Sequence, residues 1–146
     1  MDVLIPDINI LVYAYNSDAR EHVRAREWWE RTLTQSRPVG IPWVTALGFI
    51  RIGTHRSILN APKFPKDAVH TVRPWLDLPR VQILTPGDRQ AEILFRLLDR
   101  LGTAGSLTTD AHLAALAIEY QAELVSTDAD FARFPGLRWF NPLGLR

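Results

Sequence analysis

Short apolar runs alternate along this chain with longer stretches in which apolar residues recur every three to four positions. Val3-Leu4-Ile5, Val39-Gly40-Ile41, Val81-Gln82-Ile83-Leu84 and Leu124-Val125-Ser126 have the length and β-branched content of brief, fully buried strands, and Arg138-Trp139-Phe140 is a candidate fifth. Between them the helical spacing predicts amphipathic helices over Ile8–Tyr15, Arg20–Thr34, Val44–Leu59, Lys66–Leu76, Arg89–Leu101 and Leu107–Tyr120. In the fifth of these, Ile93, Leu94, Leu97, Leu98 and Leu101 fall on one face, with Arg96, Asp99 and Arg100 on the other. Strands that are apolar throughout, alternating with helices, imply a parallel sheet covered on both sides. The expected architecture is a three-layer α/β/α sandwich around a mainly parallel sheet of four to five strands. Asn60-Ala61-Pro62-Lys63-Phe64-Pro65 breaks two helices but is too short to link domains, so residues 1–146 are expected to form one domain.

Composition narrows the chemistry. With 47% hydrophobic and 23% charged residues, the chain is excluded from the disordered and fibrous classes. It contains no cysteine, which removes thiolate metal sites, thiol nucleophiles and disulfide scaffolds. The longest uncharged stretch, Pro38 to Ile50, falls short of the ~18 residues that suggest a membrane span. The start, Met1-Asp2 with Pro6 close behind, lacks the apolar stretch of a signal peptide. A soluble, cytoplasmic protein with no membrane partner is expected.

The net charge of +1 conceals a division along the chain. Residues 37–80 hold seven basic and two acidic residues, net +5, whereas residues 1–36 and 81–146 are each net −2. A basic segment between acidic flanks is compatible with docking on a polyanion, and fifteen arginines against two lysines suit bidentate phosphate contacts. The same charges also fit solvated helix faces.

The acidic residues that matter follow the strands. Asp7 comes directly after the first strand and opens a helix, Asp110 lies in the first turn of the Leu107–Tyr120 helix, and Asp128 follows the fourth strand with Asp130 two residues on. In a parallel sheet, Asp7 and Asp128 share the carboxyl edge, where open α/β folds bind ligands. Singly, each aspartate fits a helix cap, because its carboxylate accepts orphan N–H groups. Together, converging carboxylates repel unless a cation neutralises them. Oxygen donors without His or Cys point to Mg²⁺, with Mn²⁺ as a substitute. Asn9 and Thr127 stand close enough in sequence to orient a carboxylate or a metal-bound water. His22, His55, His70 and His112 show no paired spacing and are read as surface or packing residues.

This pattern resembles the PIN-domain ribonucleases, and within them the VapC toxins of type II toxin–antitoxin operons. Leu4-Ile5-Pro6-Asp7-Ile8-Asn9-Ile10-Leu11 is similar to the family's strand-then-Asp-x-Asn opening, and Leu107-Thr108-Thr109-Asp110 through Ala117 to its central acidic helix. Ser126-Thr127-Asp128-Ala129-Asp130-Phe131 resembles its Thr-Asp-x-Asp-Phe turn, and Phe134-Pro135-Gly136 through Leu143 its tail. One position departs. Where the family usually carries glutamate in a Glu-Phe-x-Arg context, this chain has Gly48-Phe49-Ile50-Arg51, so the expected metal site lacks one carboxylate.

The resemblance implies a Mg²⁺-dependent endoribonuclease cleaving structured RNA, transfer or ribosomal, by metal-activated water. Asp7, Asp110 and Asp128 would be catalytic and would bind metal together with Asp130. Arg51 would hold RNA phosphate, and Trp43 or Phe49, if not core residues, would stack a base. It also implies a VapB-like antitoxin and a homodimer. The alternative is a PIN fold without competent catalysis that binds RNA or protein. A phosphatase of the haloacid dehalogenase class fits poorly, because that chemistry needs a second Asp where Asn9 stands. No strand leads into a glycine-rich phosphate loop.

Overall fold

The computed structural model describes residues 2–55, 59, 63–102 and 105–144. Five strands, β1 (Leu4–Pro6), β2 (Val39–Pro42), β3 (Val81–Leu84), β4 (Glu123–Val125) and β5 (Arg138–Phe140), form one sheet in the order β3-β2-β1-β4-β5. Every neighbouring pair is parallel. The chain leaves β1 toward β2 and β3 on one side, then returns to lay β4 and β5 on the other. The strand order therefore reverses between β1 and β4, which opens a crevice at their carboxyl ends.

Alternation along the strands builds two cores. Leu4, Val39, Ile41, Val81 and Val125 point to one side, where α1 (Ile8–Tyr15), α2 (His22–Thr34), α3 (Trp43–Gly53) and α4 (Pro65–Leu76) cover the sheet. Val3, Ile5, Leu84 and Leu124 point to the other, against α5 (Gln90–Leu101) and α6 (Thr108–Glu119). This is the expected three-layer α/β/α sandwich. The first core is aromatic: Trp75 meets Trp29 at 5.3 Å and Phe49 at 5.2 Å between ring centroids, edge to face, and Trp28 stacks on Trp29. Such pairs add about 0.5–1.5 kcal/mol each beyond burial. In the second, Ala111, Leu113, Ala114, Ala115, Leu116 and Ala117 of α6 are all fully buried. The alanines let the helix sit close to both the sheet and α5, so no amphipathic stripe survives there.

Local chemistry sets the ends. Pro65 opens α4 where its missing N–H costs nothing, and Gly102 closes α5 in the left-handed conformation at φ 68°. Three expectations need correction. The helix predicted to reach Leu59 ends at Gly53, whose carbonyl accepts from Lys63 N–H at 2.8 Å. Residues 56–58 of that stretch, and 60–62 of the break expected after it, lie outside the described residues. Nor are all strands fully buried: Gln82 and Ile83 of β3 and Arg138 and Phe140 of β5 are exposed, because these are the two edge strands and their outer flanks face solvent. Leu107 belongs to a short 3₁₀ turn, Gly105–Leu107, and α6 starts one residue later. Among the described residues, no helix is long and apolar enough to cross a membrane.

Candidate active site

The crevice between β1 and β4 is where the aspartates gather. Asp7 leaves β1 with its N–H bonded to the Val125 carbonyl at 2.9 Å, which fixes its backbone to the end of β4. Its carboxylate caps α1, Oδ1 accepting from the Ile8 N–H at 2.7 Å. Oδ2 accepts from the Ser126 hydroxyl, also at 2.7 Å, so both oxygens are held and only 4% of the residue is exposed. The Ser126 oxygen in turn accepts from the Asp128 N–H at 3.0 Å, and Asp128 Oδ1 accepts from the Asp130 N–H at 2.9 Å. A single chain of hydrogen bonds thus runs from the first helix cap to the turn after β4.

The N-terminal turn of α6 brings Asp110 to the same place. One carboxylate oxygen from each of Asp110, Asp128 and Asp130 lies within 4.8 Å of the others. Burial pushes the Asp110 carboxyl up to about 6, and the charges of Asp7, Asp128 and Asp130 push in the same direction. Asp7 is raised chiefly by burial, which its bonds from Ser126 and Ile8 only partly offset, with Asp128 adding repulsion. No ion pair among the described residues reaches any of the four. Crowded, uncompensated hard oxygen donors of this kind fit a divalent cation such as Mg²⁺ or Mn²⁺.

The remaining expected residues are distributed unevenly. Thr127 and Asn9 are half-buried beside the aspartates, but the hydroxyl that reaches Asp7 belongs to Ser126. Ser126 was not singled out in the sequence, where its position as the last residue of an apolar run disguised it as strand interior. The Trp139 indole donates to the Ser126 carbonyl at 3.0 Å and fixes the backbone from the far side. His112 packs rather than ligates: it is half-buried, its ring is lowered below the usual imidazole range by burial, and it meets Gln90 of α5. His22 reaches the Tyr13 carbonyl at 2.9 Å. Phe49 is core, 1% exposed, whereas Trp43 lies open on α3.

Arg51 is exposed on α3 and lines an open groove of about 420 Å³ with Ile8, Val44, Leu47, Gly48 and Thr109. Gly48 faces Ile8 so closely that a Cβ there would stand 2.3 Å from Ile8 Cδ1. The volume that a longer residue at 48 would need is filled by an isoleucine from the helix that Asp7 caps. Of the basic segment, Arg37 is engaged by Asp2 and Glu123, and Arg80 donates to the Leu33 carbonyl, so both are structural.

Comparison with known proteins agrees with this geometry. The sequence matches the PIN domain family over residues 4–137. It is 47% identical over 141 residues to Ribonuclease VapC33 of Mycobacterium tuberculosis, covering 97% of this chain and 99% of that protein. It is 40% identical to Ribonuclease VapC37 of the same organism, covering 97% and 98%. Among solved structures, its fold is shared with a chain of VapBC2 from Rickettsia felis bound to a promoter DNA fragment, at a TM-score of 0.67 and 22% identity, covering 95% of this chain and 98% of that one.

Proposed function

Because the chain belongs to the PIN domain family and its relatives are VapC ribonucleases, we propose that this RNA-cleaving hydrolase is the Mg²⁺-dependent toxin of a VapBC module, acting on structured transfer or ribosomal RNA. One PIN domain spanning residues 1–146, working in the cytoplasm as a homodimer and restrained by a VapB-like antitoxin, completes the reading. The observation that carries it is the convergence of Asp110, Asp128 and Asp130 within 4.8 Å, beside a buried Asp7, with no ion pair to any of the four among the described residues.

Asp110, Asp128 and Asp130 would hold the ion, and Asp7 would complete the site from the end of β1. When bound, a divalent ion supplies a Lewis acid that acidifies water and neutralises charge on a phosphodiester. Asp7 contributes a carboxylate that cannot swing, since Ser126 and Ile8 hold both of its oxygens. Ser126 keeps Asp7 and the Asp128 backbone in one register. Arg51, across the groove on α3, offers a guanidinium to an RNA phosphate. A second reading, a PIN fold that binds without cutting, draws support from Gly48, which leaves this flank without a carboxylate.

The two readings separate on one experiment. Purified protein, free of antitoxin, is incubated with total cellular RNA in Mg²⁺, Mn²⁺ or EDTA, beside Asp7→Ala and Asp110→Ala. Discrete metal-dependent fragments that both variants fail to produce establish the nuclease and locate its target. RNA left intact by folded wild-type protein under every ion transfers the weight to the binding module.

A further inference from the structure

The groove beside the aspartates has a composition that phosphate hydrolysis does not require. Val44, Leu47, Gly48 and Arg51 recur at helical spacing along one face of α3, and Ile8 and Thr109 close the groove from the starts of α1 and α6. These two are also the chain neighbours of Asp7 and Asp110, so the groove lies one residue along the chain from two of the carboxylates. Its floor is apolar because Ile8 occupies the space next to Gly48. Leu47 on its rim is 59% exposed and adds an aliphatic side chain to the lining. The two polar lining groups, Arg51 and Thr109, are exposed at its margin. Among the described residues Arg51 is paired with no carboxylate.

We propose that this groove is a nucleobase subsite: it takes one unpaired base of the RNA next to the phosphate held at the aspartates, with the base against Ile8, Val44 and Leu47 and the adjoining phosphate on Arg51. The volume, about 420 Å³, lies within the range of small-ligand sites and exceeds what one base fills. An apolar wall beside a single cation is the pairing a nucleotide presents, a flat apolar face joined to an anion. The Gly48–Ile8 contact then acquires a purpose: it replaces a charged flank by a surface on which a base can rest. The inference rests on the ribonuclease reading and adds to it where the bound strand leaves the helix.

The test separates the two. In the Asp110→Asn background, chosen because loss of that carboxylate is expected to leave RNA uncut, labelled RNA hexamers are titrated, one intact and a set each lacking a single base in turn. Removal of one particular base is expected to weaken binding roughly tenfold. The exposed substitution Leu47→Ser, with its fold checked by circular dichroism, is expected to erase that difference while leaving affinity for the hexamer lacking that base unchanged. Equal affinity for every hexamer overturns the subsite. So does a base dependence that Leu47→Ser leaves intact. If base-sensitive binding is found but wild-type protein cuts no RNA, the subsite stands and the catalytic reading falls.

Discussion

Asp110 carries the most informative charge in the molecule. Its carboxyl ionises near 3.8 in an unfolded chain and at about 6 in the folded one, so between these values the native state binds more protons than the unfolded state. Stability from this group is therefore present at low pH and is lost as pH rises through about 6. The metal-free protein should melt at a higher temperature at about pH 5 than at about pH 7.5, and Asp110→Asn should flatten that difference, as read by thermal denaturation in EDTA. Added Mg²⁺ should raise the melting temperature at neutral pH and do so less below about pH 6, where the ligand is protonated. Ser126 is the second residue whose removal is diagnostic. Ser126→Ala leaves a buried Asp7 oxygen and the Asp128 N–H without their partner, which should cost about 1–3 kcal/mol in urea unfolding. It should also raise the Asp7 carboxyl further and move the acidic limb of the pH–rate profile upward; an unmoved limb would mean that Ser126 does not govern Asp7. Asp7 and Asp128 were legible in the sequence because a strand end followed by aspartate is a local pattern. Ser126 was not, because a hydroxyl that serves a residue 119 positions away leaves no local trace.

At the level of elements, the informative contact is the one α1 makes with α3, where Ile8 meets Gly48. Gly48 marks the place where a glutamate is expected from the family resemblance, yet a side chain there must displace Ile8. Gly48→Glu alone should therefore destabilise the fold by about 1–3 kcal/mol through overpacking. Gly48→Glu combined with Ile8→Ala should recover most of that loss and bind Mn²⁺ more tightly than the wild type, as measured by calorimetry; a double variant with unaltered affinity would show that residue 48 does not face the ion. The helices themselves were readable from periodicity, and α1 runs over Ile8–Tyr15 as its pattern implies. The end of α3 was not readable, since Ile58 and Leu59 extend the apolar spacing past Gly53 with no strong breaker until Pro62. The exposure of β3 was equally hidden, because edge position depends on strand order and not on the strand's own residues.

Across the whole molecule, the arginines in the basic middle of the chain are put to different uses. Arg37 and Arg80 spend their charge on Asp2, Glu123 and the Leu33 carbonyl, while Arg51 alone among the described arginines of that segment lines the groove beside the aspartates. RNA affinity should accordingly fall only modestly with salt, and Arg51→Ala should lower the slope of log affinity against log salt by about one, whereas a variant at Arg80 should leave the slope alone and lower stability instead. Net charge by segment could not distinguish these roles, because pairing is fixed by the fold. The sheet that separates the two cores also separates the tryptophans: Trp28, Trp29 and Trp75 pack on the α1–α4 side, where Trp43 opens α3, while Trp139 packs on the other and bonds to the backbone of Ser126. The protein thus carries a native fluorophore on each face of its sheet. A form retaining Trp139 alone would report optically on the strand end that carries the aspartates, and so on cation loading, with no attached dye and no RNA in the cuvette.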